Sequence, residues 1–234
     1  MGFCDLTGKV AIVTGASRGL GLTLARELAG RGWALVIDAR GAEALEAARS
    51  ELAQVTTIIA VRGDVADETH LRDLVSAARE LGGLDLVVNN ASALGPSPQP
   101  KLADYPLDAL EAVYRVNVFA PVRLIQLALP LLEARGGRVV NVTSDAAVEP
   151  YEGWGGYGGS KAALEQIANV LAAEHPDLRV YRVDPGDMNT QMQQEAFPGE
   201  DVSDRPPPEA SVPGLLRLIE DDLPSGRYSA RAPA

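Results

Sequence analysis

The stretch Val10-Ala11-Ile12-Val13-Thr14-Gly15-Ala16-Ser17-Arg18-Gly19-Leu20-Gly21 decides the fold, and it runs on into Leu22-Thr23-Leu24-Ala25. A short apolar run dominated by β-branched residues reads as a buried strand, and the Ala/Leu-rich run behind the glycines reads as a helix. Strand, glycine turn and helix in that order make a place for phosphate. The glycines let the backbone approach a pyrophosphate, which rests on the helix N-terminus and the positive end of its dipole. An ordinary glycine turn would look the same if it stood alone. The spacing here is G-x-x-x-G-x-G rather than the G-x-G-x-x-G of other dinucleotide-binding folds.

The pattern repeats along the chain. Apolar runs at 10–14, 34–37, 57–61, 84–88, 138–142 and 178–183 are near-continuous rather than alternating. That is the signature of parallel strands covered on both faces. Between them, helical spacing occupies 19–31, 41–53, 67–81, 106–134 and 157–175. Strand then helix, repeated, predicts right-handed βαβ units in an α/β fold: a single-domain, Rossmann-like, doubly wound parallel sheet of about six to seven strands with helices on both faces. No domain break interrupts residues 1–234. Beyond Val183 the chain turns polar and proline-bearing, and residues 185–213 are expected to form a functional loop or lid. A short helix is expected at 215–219, an edge strand at 226–228 and a disordered tail at 230–234.

Composition narrows the partners. The 234 residues carry 21 Lys+Arg against 32 Asp+Glu, a formal charge of −11, with no basic stripe to attract a polyanion. Nucleic acid is therefore not an expected partner. One cysteine and two histidines supply neither a disulfide nor a metal site, so no metal is expected. No apolar run approaches the ~18 residues of a membrane helix, and the N-terminus lacks the pattern of a signal peptide. The expectation is a cytoplasmic protein with no membrane partner.

Further motifs follow in order. Asp64-Val65 follows the third strand, Asn89-Asn90-Ala91 ends the fourth, and Asn117 lies in the helix after it. Ser144 follows the fifth strand, then come Tyr157-Gly-Gly-Ser-Lys161, Pro185-Gly186 and Thr190. Together with the glycine turn, this series from residue 9 to 190 resembles the short-chain dehydrogenase/reductase family, including its N-N-A-G (here with Ser92 for the last glycine) and Y-x-x-x-K motifs. Tyr157 and Lys161 stand four apart on a helix, so phenol and ammonium share a face. A neighbouring cation lowers a tyrosine pKa toward the range general acid–base catalysis needs. A surface tyrosine beside a solvated lysine would show the same spacing, but the chain has only three lysines, Lys9, Lys101 and Lys161, so one at this position argues for a specific role.

The resemblance implies the roles. Tyr157 would protonate a carbonyl oxygen as hydride arrives from the nicotinamide, Ser144 would polarise that oxygen, Lys161 would hold the nicotinamide ribose and depress the Tyr157 pKa, and Asn117 would help a water chain deliver the proton. Gly15, Ser17, Arg18, Gly19, Leu20, Gly21, Ala39, Arg40, Asp64, Val65, Asn90, Ala91, Pro185, Gly186 and Thr190, with Tyr157 and Lys161, would bind the cofactor. The glycine run around Tyr157 is expected to fray the helix start until cofactor binds. Ser92 places a small side chain near the nicotinamide ribose.

Asp38 invites reading as the acid that grips a ribose 2′-hydroxyl in NAD enzymes. Counting from Gly21 puts the discriminating position at Ala39, followed by Arg40. With Arg18, two guanidiniums favour NADP(H), since arginine binds phosphate bidentately; a one-residue shift would restore Asp38 and NAD(H). The substrate would meet Ala93, Glu149, Tyr151, Trp154, Met188 and Met192 at the carboxyl ends of the strands, with the acidic stretch Glu195–Asp204 in a lid. Family likeness implies a homodimer or homotetramer. The leading function is an NAD(P)-dependent carbonyl reductase or alcohol dehydrogenase. A non-catalytic NADP(H)-binding regulator, and a cofactor-independent lyase or dehalogenase on the same scaffold, stay open.

Overall fold

The computed structural model describes residues 8–231. Seven strands, β1 (Val10–Val13), β2 (Ala34–Ala39), β3 (Ile58–Arg62), β4 (Leu86–Asn89), β5 (Arg138–Val142), β6 (Arg179–Asp184) and β7 (Gly226–Ser229), form one all-parallel sheet in the order β3-β2-β1-β4-β5-β6-β7. The doubly wound sheet expected from the sequence is thus present, at the upper end of the strand count.

Why the strands read as continuous apolar runs is visible in β1. Ala11 and Val13 face one layer, with α1 (Gly19–Gly30), α2 (Ala42–Leu52) and α8 (Val212–Glu220); Val10 and Ile12 face the other, with α3 (Glu68–Glu80), α5 (Ala120–Glu133) and the middle of α6 (Gly155–Glu174). Every residue of β1 and β4 is buried. Both faces being dry, alternation has nothing to record. Strand order reverses between β1 and β4, and at such a switch point the carboxyl ends of the strands open a crevice for ligand.

The helix expected over 106–134 is two helices, α4 (Leu107–Tyr114) and α5, joined by a π-helical turn at Arg115–Phe119. Asn117 sits inside that turn, and such widened turns recur at functional sites. The whole stretch Leu107–Glu133 is long and apolar enough to cross a membrane by length and composition, contrary to the reading of apolar runs, because a helix tolerates a few charges at its edges. Here Leu124, Ile125, Ala128 and Leu132 are buried against the sheet layer.

The segment 185–213 holds a short helix, α7 (Gln191–Ala196), and buries Val202. Ala230, expected to be free, is buried, and its N–H donates to the Asp184 carbonyl at 2.9 Å. Arg231 donates to Ser211 Oγ at 2.9 Å; residues 232–234 of the expected tail lie outside the described residues.

Candidate active site

The glycine turn is held from beneath by side chains that face away from any ligand. Thr14 Oγ1 donates to the Val88 carbonyl at 3.2 Å and accepts from the Asn90 and Ala91 N–H groups, each at 3.0 Å. The Asn90 carboxamide donates to the carbonyls of Thr14 (2.8 Å) and Gly15 (3.2 Å). Asn90 therefore braces the turn with its side chain. A Cβ on Gly21 would stand 2.5 Å from that carboxamide and 2.6 Å from the Gly15 carbonyl, which is why glycine is required there.

Gly19 is different. Its φ is +54°, and a Cβ there would meet only Thr190 Cγ2 at 3.8 Å, pointing into the gap between the turn and the segment after β6. Helix α1 begins at this residue with no side-chain cap and no acid in its first turn. Its first N–H groups thus remain available to an anion, as a pyrophosphate requires. The residues present fit a dinucleotide phosphate. Ser17 and Arg18 flank the gap, whereas the Leu20 side chain is buried in the core and could offer only its backbone.

Asp38 does not face this gap. It is buried, its Oδ1 accepts the Gly15 N–H at 2.6 Å, and its Oδ2 lies 2.8 Å from His70 Nε2. Ala39 and Arg40 follow at the end of β2, Arg40 exposed. Arg18 hydrogen-bonds through its guanidinium to the Gln191 side chain. Asp64 accepts the Ala66 N–H at 2.9 Å, and Val65 is buried behind it. Pro185 and Gly186 close β6; the Gly186 N–H donates to Asp184 Oδ1 at 2.9 Å, and Thr190 caps α7.

Across the crevice, Asn117, Ser144, Tyr157 and Lys161 come together. Asn117 is 1% exposed and all four of its hydrogen-bonding positions are used. Oδ1 accepts from Ser92 Oγ (3.1 Å) and the Ala93 N–H (2.8 Å); Nδ2 donates to the Ala93 carbonyl (2.8 Å) and Ser160 Oγ (2.9 Å). Ser160, not singled out in the sequence, donates in turn to the Tyr157 carbonyl at 2.6 Å. The Asn117 side chain is a clamp between the loop after β4 and α6, with no donor or acceptor left for water.

Tyr157 and Lys161 are nearly buried. Lys161 Nζ donates to the Val142 carbonyl at 2.8 Å and lies 5.5 Å from the centre of the Tyr157 ring. The ammonium lies over the ring, with a hydrogen bond given to the Val142 carbonyl. Burial then decides both pKa values: it pushes Tyr157 up to about 12 and Lys161 down to about 8. The expected depression of the Tyr157 pKa by Lys161 is not what the geometry gives. The hydroxyls of Ser92 and Ser144 pull Tyr157 down, Ser92 more strongly, and the Asp145 and Asp184 carboxylates push it up. Ser144 Oγ donates to Asp145 Oδ1 at 2.9 Å, and its carbonyl accepts from Arg227 at 3.2 Å.

The glycine run around Tyr157 is helical from Gly155 onward, not frayed. The reason is packing: a Cβ on Gly156 would strike the Tyr105 ring at 2.4 Å, and one on Gly158 the Ala146 carbonyl at 2.5 Å. Leu94 and Ala146 pack on Tyr157 with Trp154 and Ala196 of α7. The Trp154 ring stands edge-on to Tyr157 at 5.8 Å and meets Phe197, also at 5.8 Å. Leu94 and Phe197 fall within stretches expected to wall the pocket, 93–100 and the loop after Gly186, without being singled out; an aromatic in an otherwise polar loop is the signal for Phe197. Tyr151 donates to Asp145 Oδ2 at 2.9 Å beside exposed Glu149. Met188 packs into the core on the α1 side, a different cluster from that around Tyr157, and Met192 is half-buried on α7.

A phosphate-cradling turn, a buried phenol and an ammonium on one α/β crevice define a dinucleotide-dependent oxidoreductase. Residues 9–201 match the short chain dehydrogenase family, and the chain belongs to it. It is an NAD(P)-dependent oxidoreductase. The chain is 39% identical over 178 residues to the short chain dehydrogenase penD of Penicillium thymicola, covering 72% of this chain and 64% of that protein, just under two thirds of its length. It is 36% identical over 197 residues to the (S)-benzoin-forming benzil reductase of Saccharomyces cerevisiae, covering 80% and 74%. A short chain dehydrogenase of Shigella flexneri 2a, solved with NADP, superposes with a TM-score of 0.88 at 29% identity, over 97% of this chain and 99% of that one.

Proposed function

We propose that this oxidoreductase uses NADPH to reduce a ketone carried by an aromatic, hydrophobic compound, the whole chain acting as one dinucleotide-binding and catalytic unit. The observation that carries the substrate class is the aromatic wall of Trp154 and Phe197 running outward from Tyr157. The likeness to a benzil reductase supports it, since benzil places a phenyl ring on each side of a dicarbonyl. Arg18 and Arg40 beside Ala39, with Asp38 turned inward, support NADPH over NADH, as does the relative solved with NADP.

A phenol pushed up to about 12 is protonated at neutral pH, the form a reduction needs. Tyr157 gives its proton to the carbonyl oxygen and becomes phenolate; the nicotinamide, when bound, supplies the hydride that reaches the carbonyl carbon. Ser144 turns its hydroxyl from Asp145 to the same oxygen. Lys161 stays mostly cationic at pH 7 and would hold the nicotinamide ribose. Asn117 keeps α6 and the loop after β4 in register. The segment 185–213 closes over the crevice: Ser97 Oγ donates to the Glu195 carbonyl at 2.6 Å, and Arg18 bonds Gln191. Oligomers form through α5 and α6, where Ile167 and Val170 are left exposed.

The test is a comparison of benzil with a small aliphatic ketone, with NADPH and with NADH. Benzil with NADPH should have the highest kcat/KM. Trp154→Ala should lower kcat/KM for benzil about tenfold and leave the aliphatic ketone nearly unchanged. Equal loss on both substrates would remove the aromatic wall from the proposal.

A further inference from the structure

Three adjacent strands, β3, β2 and β1, end at one corner of the crevice, and each carboxyl end carries an arginine: Arg62 on β3, Arg40 after β2 and Arg18 in the turn after β1. All three are exposed. In a chain of formal charge −11, most arginines are paired with a carboxylate, yet none of these three forms an ion pair among the described residues. Three like charges gathered without a counter-charge fit an anion that arrives with a ligand. The one carboxylate of β2, Asp38, is withdrawn into its bonds with Gly15 and His70.

The three arginines are not equivalent. Arg18 spends its guanidinium on Gln191 of α7. Arg62 lies in register with Ala39, the position that sequence spacing marks as discriminating, and its Nε donates to the Arg40 carbonyl at 3.2 Å. That single bond fixes the guanidinium beside Arg40 and leaves both of its Nη groups uncommitted. A planar fork held by its Nε is suited to bidentate phosphate binding.

We infer that Arg62 pairs with Arg40 to form the adenosine 2′-phosphate clamp, and that Arg62 is a cofactor-specificity residue of this enzyme. The inference rests on the NADPH reading above.

Titration of the purified protein with NADPH and with NADH, followed by nicotinamide fluorescence at fixed salt, tests this without turnover. Arg62→Gln should weaken NADPH binding about ten- to a hundredfold, the range for a charge-assisted hydrogen bond, and leave NADH binding unchanged. NADH affinity also serves as the control for folding. Arg62→Lys should recover only part of the loss, because an ammonium keeps the charge but not the fork. If the unaltered protein binds NADH as tightly as NADPH, the cofactor reading fails and the clamp with it. If the unaltered protein prefers NADPH and Arg62→Gln keeps that preference, the clamp alone fails. Equal weakening of both cofactors also overturns it, since Arg62 would then serve the adenine or the fold.

Discussion

The two sides of the crevice are built differently. On the cofactor side, the turn after β1 is fixed by hydrogen bonds that involve Thr14, Asn90 and Asp38, all directed into the protein, and Gly15 and Gly21 are pressed against backbone. On the substrate side, Tyr157 is surrounded by apolar side chains from separate segments, Leu94 after β4, Trp154 before α6 and Ala196 of α7, with Phe197 against the Trp154 ring. One side is rigid because its polar side chains are held by hydrogen bonds within the protein. The other is a set of packing contacts that can be exchanged without leaving a buried donor or acceptor unpaired. Binding of the constant ligand is assigned to the first and substrate choice to the second.

The largest expected effect lies between the two. Tyr157→Phe keeps the ring, its edge-on contact with Trp154 and the clamp at Ser160, and removes only the acid. Turnover should fall by about 10²–10⁴-fold while NADPH affinity in a fluorescence titration stays within twofold. Activity that survives unchanged would remove Tyr157 as the acid.

Lys161 separates catalysis from stability. Its pKa falls from 10.5 to about 8 on burial, so the folded state binds this proton less readily than the unfolded chain. Stability should therefore rise with pH between about 8 and 10.5, and the charged lysine costs stability throughout the range below. Lys161→Met should gain about 1–3 kcal/mol at pH 7 by thermal or urea unfolding, after the lost bond to Val142, and should cost about a hundredfold or more in turnover. A lower melting temperature at pH 7 would show that the bond to Val142 outweighs the burial of charge.

Gly21→Ala attacks the rigid side. Its Cβ would displace the Asn90 carboxamide and crowd the Gly15 carbonyl, at 2.5 and 2.6 Å. Overpacking of this kind costs about 1–3 kcal/mol, and both NADPH and NADH should bind about tenfold more weakly. Trp154→Ala, on the other side, should change selectivity with intact cofactor affinity. If the two variants gave the same profile, the division between the sides would be false.

The rigid side is also the legible one. The strand, the glycine spacing and the position of Asn90 are local in sequence, and the physical requirement acts on the residues that display it. Even Asp38 was discounted as a ribose reader from spacing alone, and its inward bonds to Gly15 and His70 agree. What sequence could not convey was long-range. The glycines near Tyr157 were expected to fray the helix because propensity is a local quantity; they are helical because Tyr105 and Ala146 need the room. Lys161 and Tyr157, four apart, do share a face, with the ammonium over the ring, but the bond of that ammonium to the Val142 carbonyl is a long-range contact that spacing does not show. Phe197, Ser160 and Arg62 carry no motif and are defined by what packs beside them.

Ser92 tests the smallest of these long-range effects. Where the family has glycine, this chain has a hydroxyl that bonds Asn117 at 3.1 Å and lowers the Tyr157 pKa more than Ser144 does. Ser92→Gly removes a donor from the phenolate, so the charged form loses support and the pKa moves further up. Tyr157 becomes a weaker acid, and kcat/KM for reduction at pH 7 should fall about threefold, a small part of what a full charge-assisted bond is worth because Asn117 competes for the same hydroxyl. The high-pH limb of the rate profile that reports Tyr157 should shift upward, while a limb from Lys161 near 8 stays in place and serves as an internal reference. Asn117 keeps its bonds to Ala93 and Ser160, so the clamp survives the change. A threefold loss with an unmoved limb would mean that Ser92 acts only through the position of Asn117, and the phenol would then answer to burial, the Asp145 and Asp184 carboxylates and Ser144.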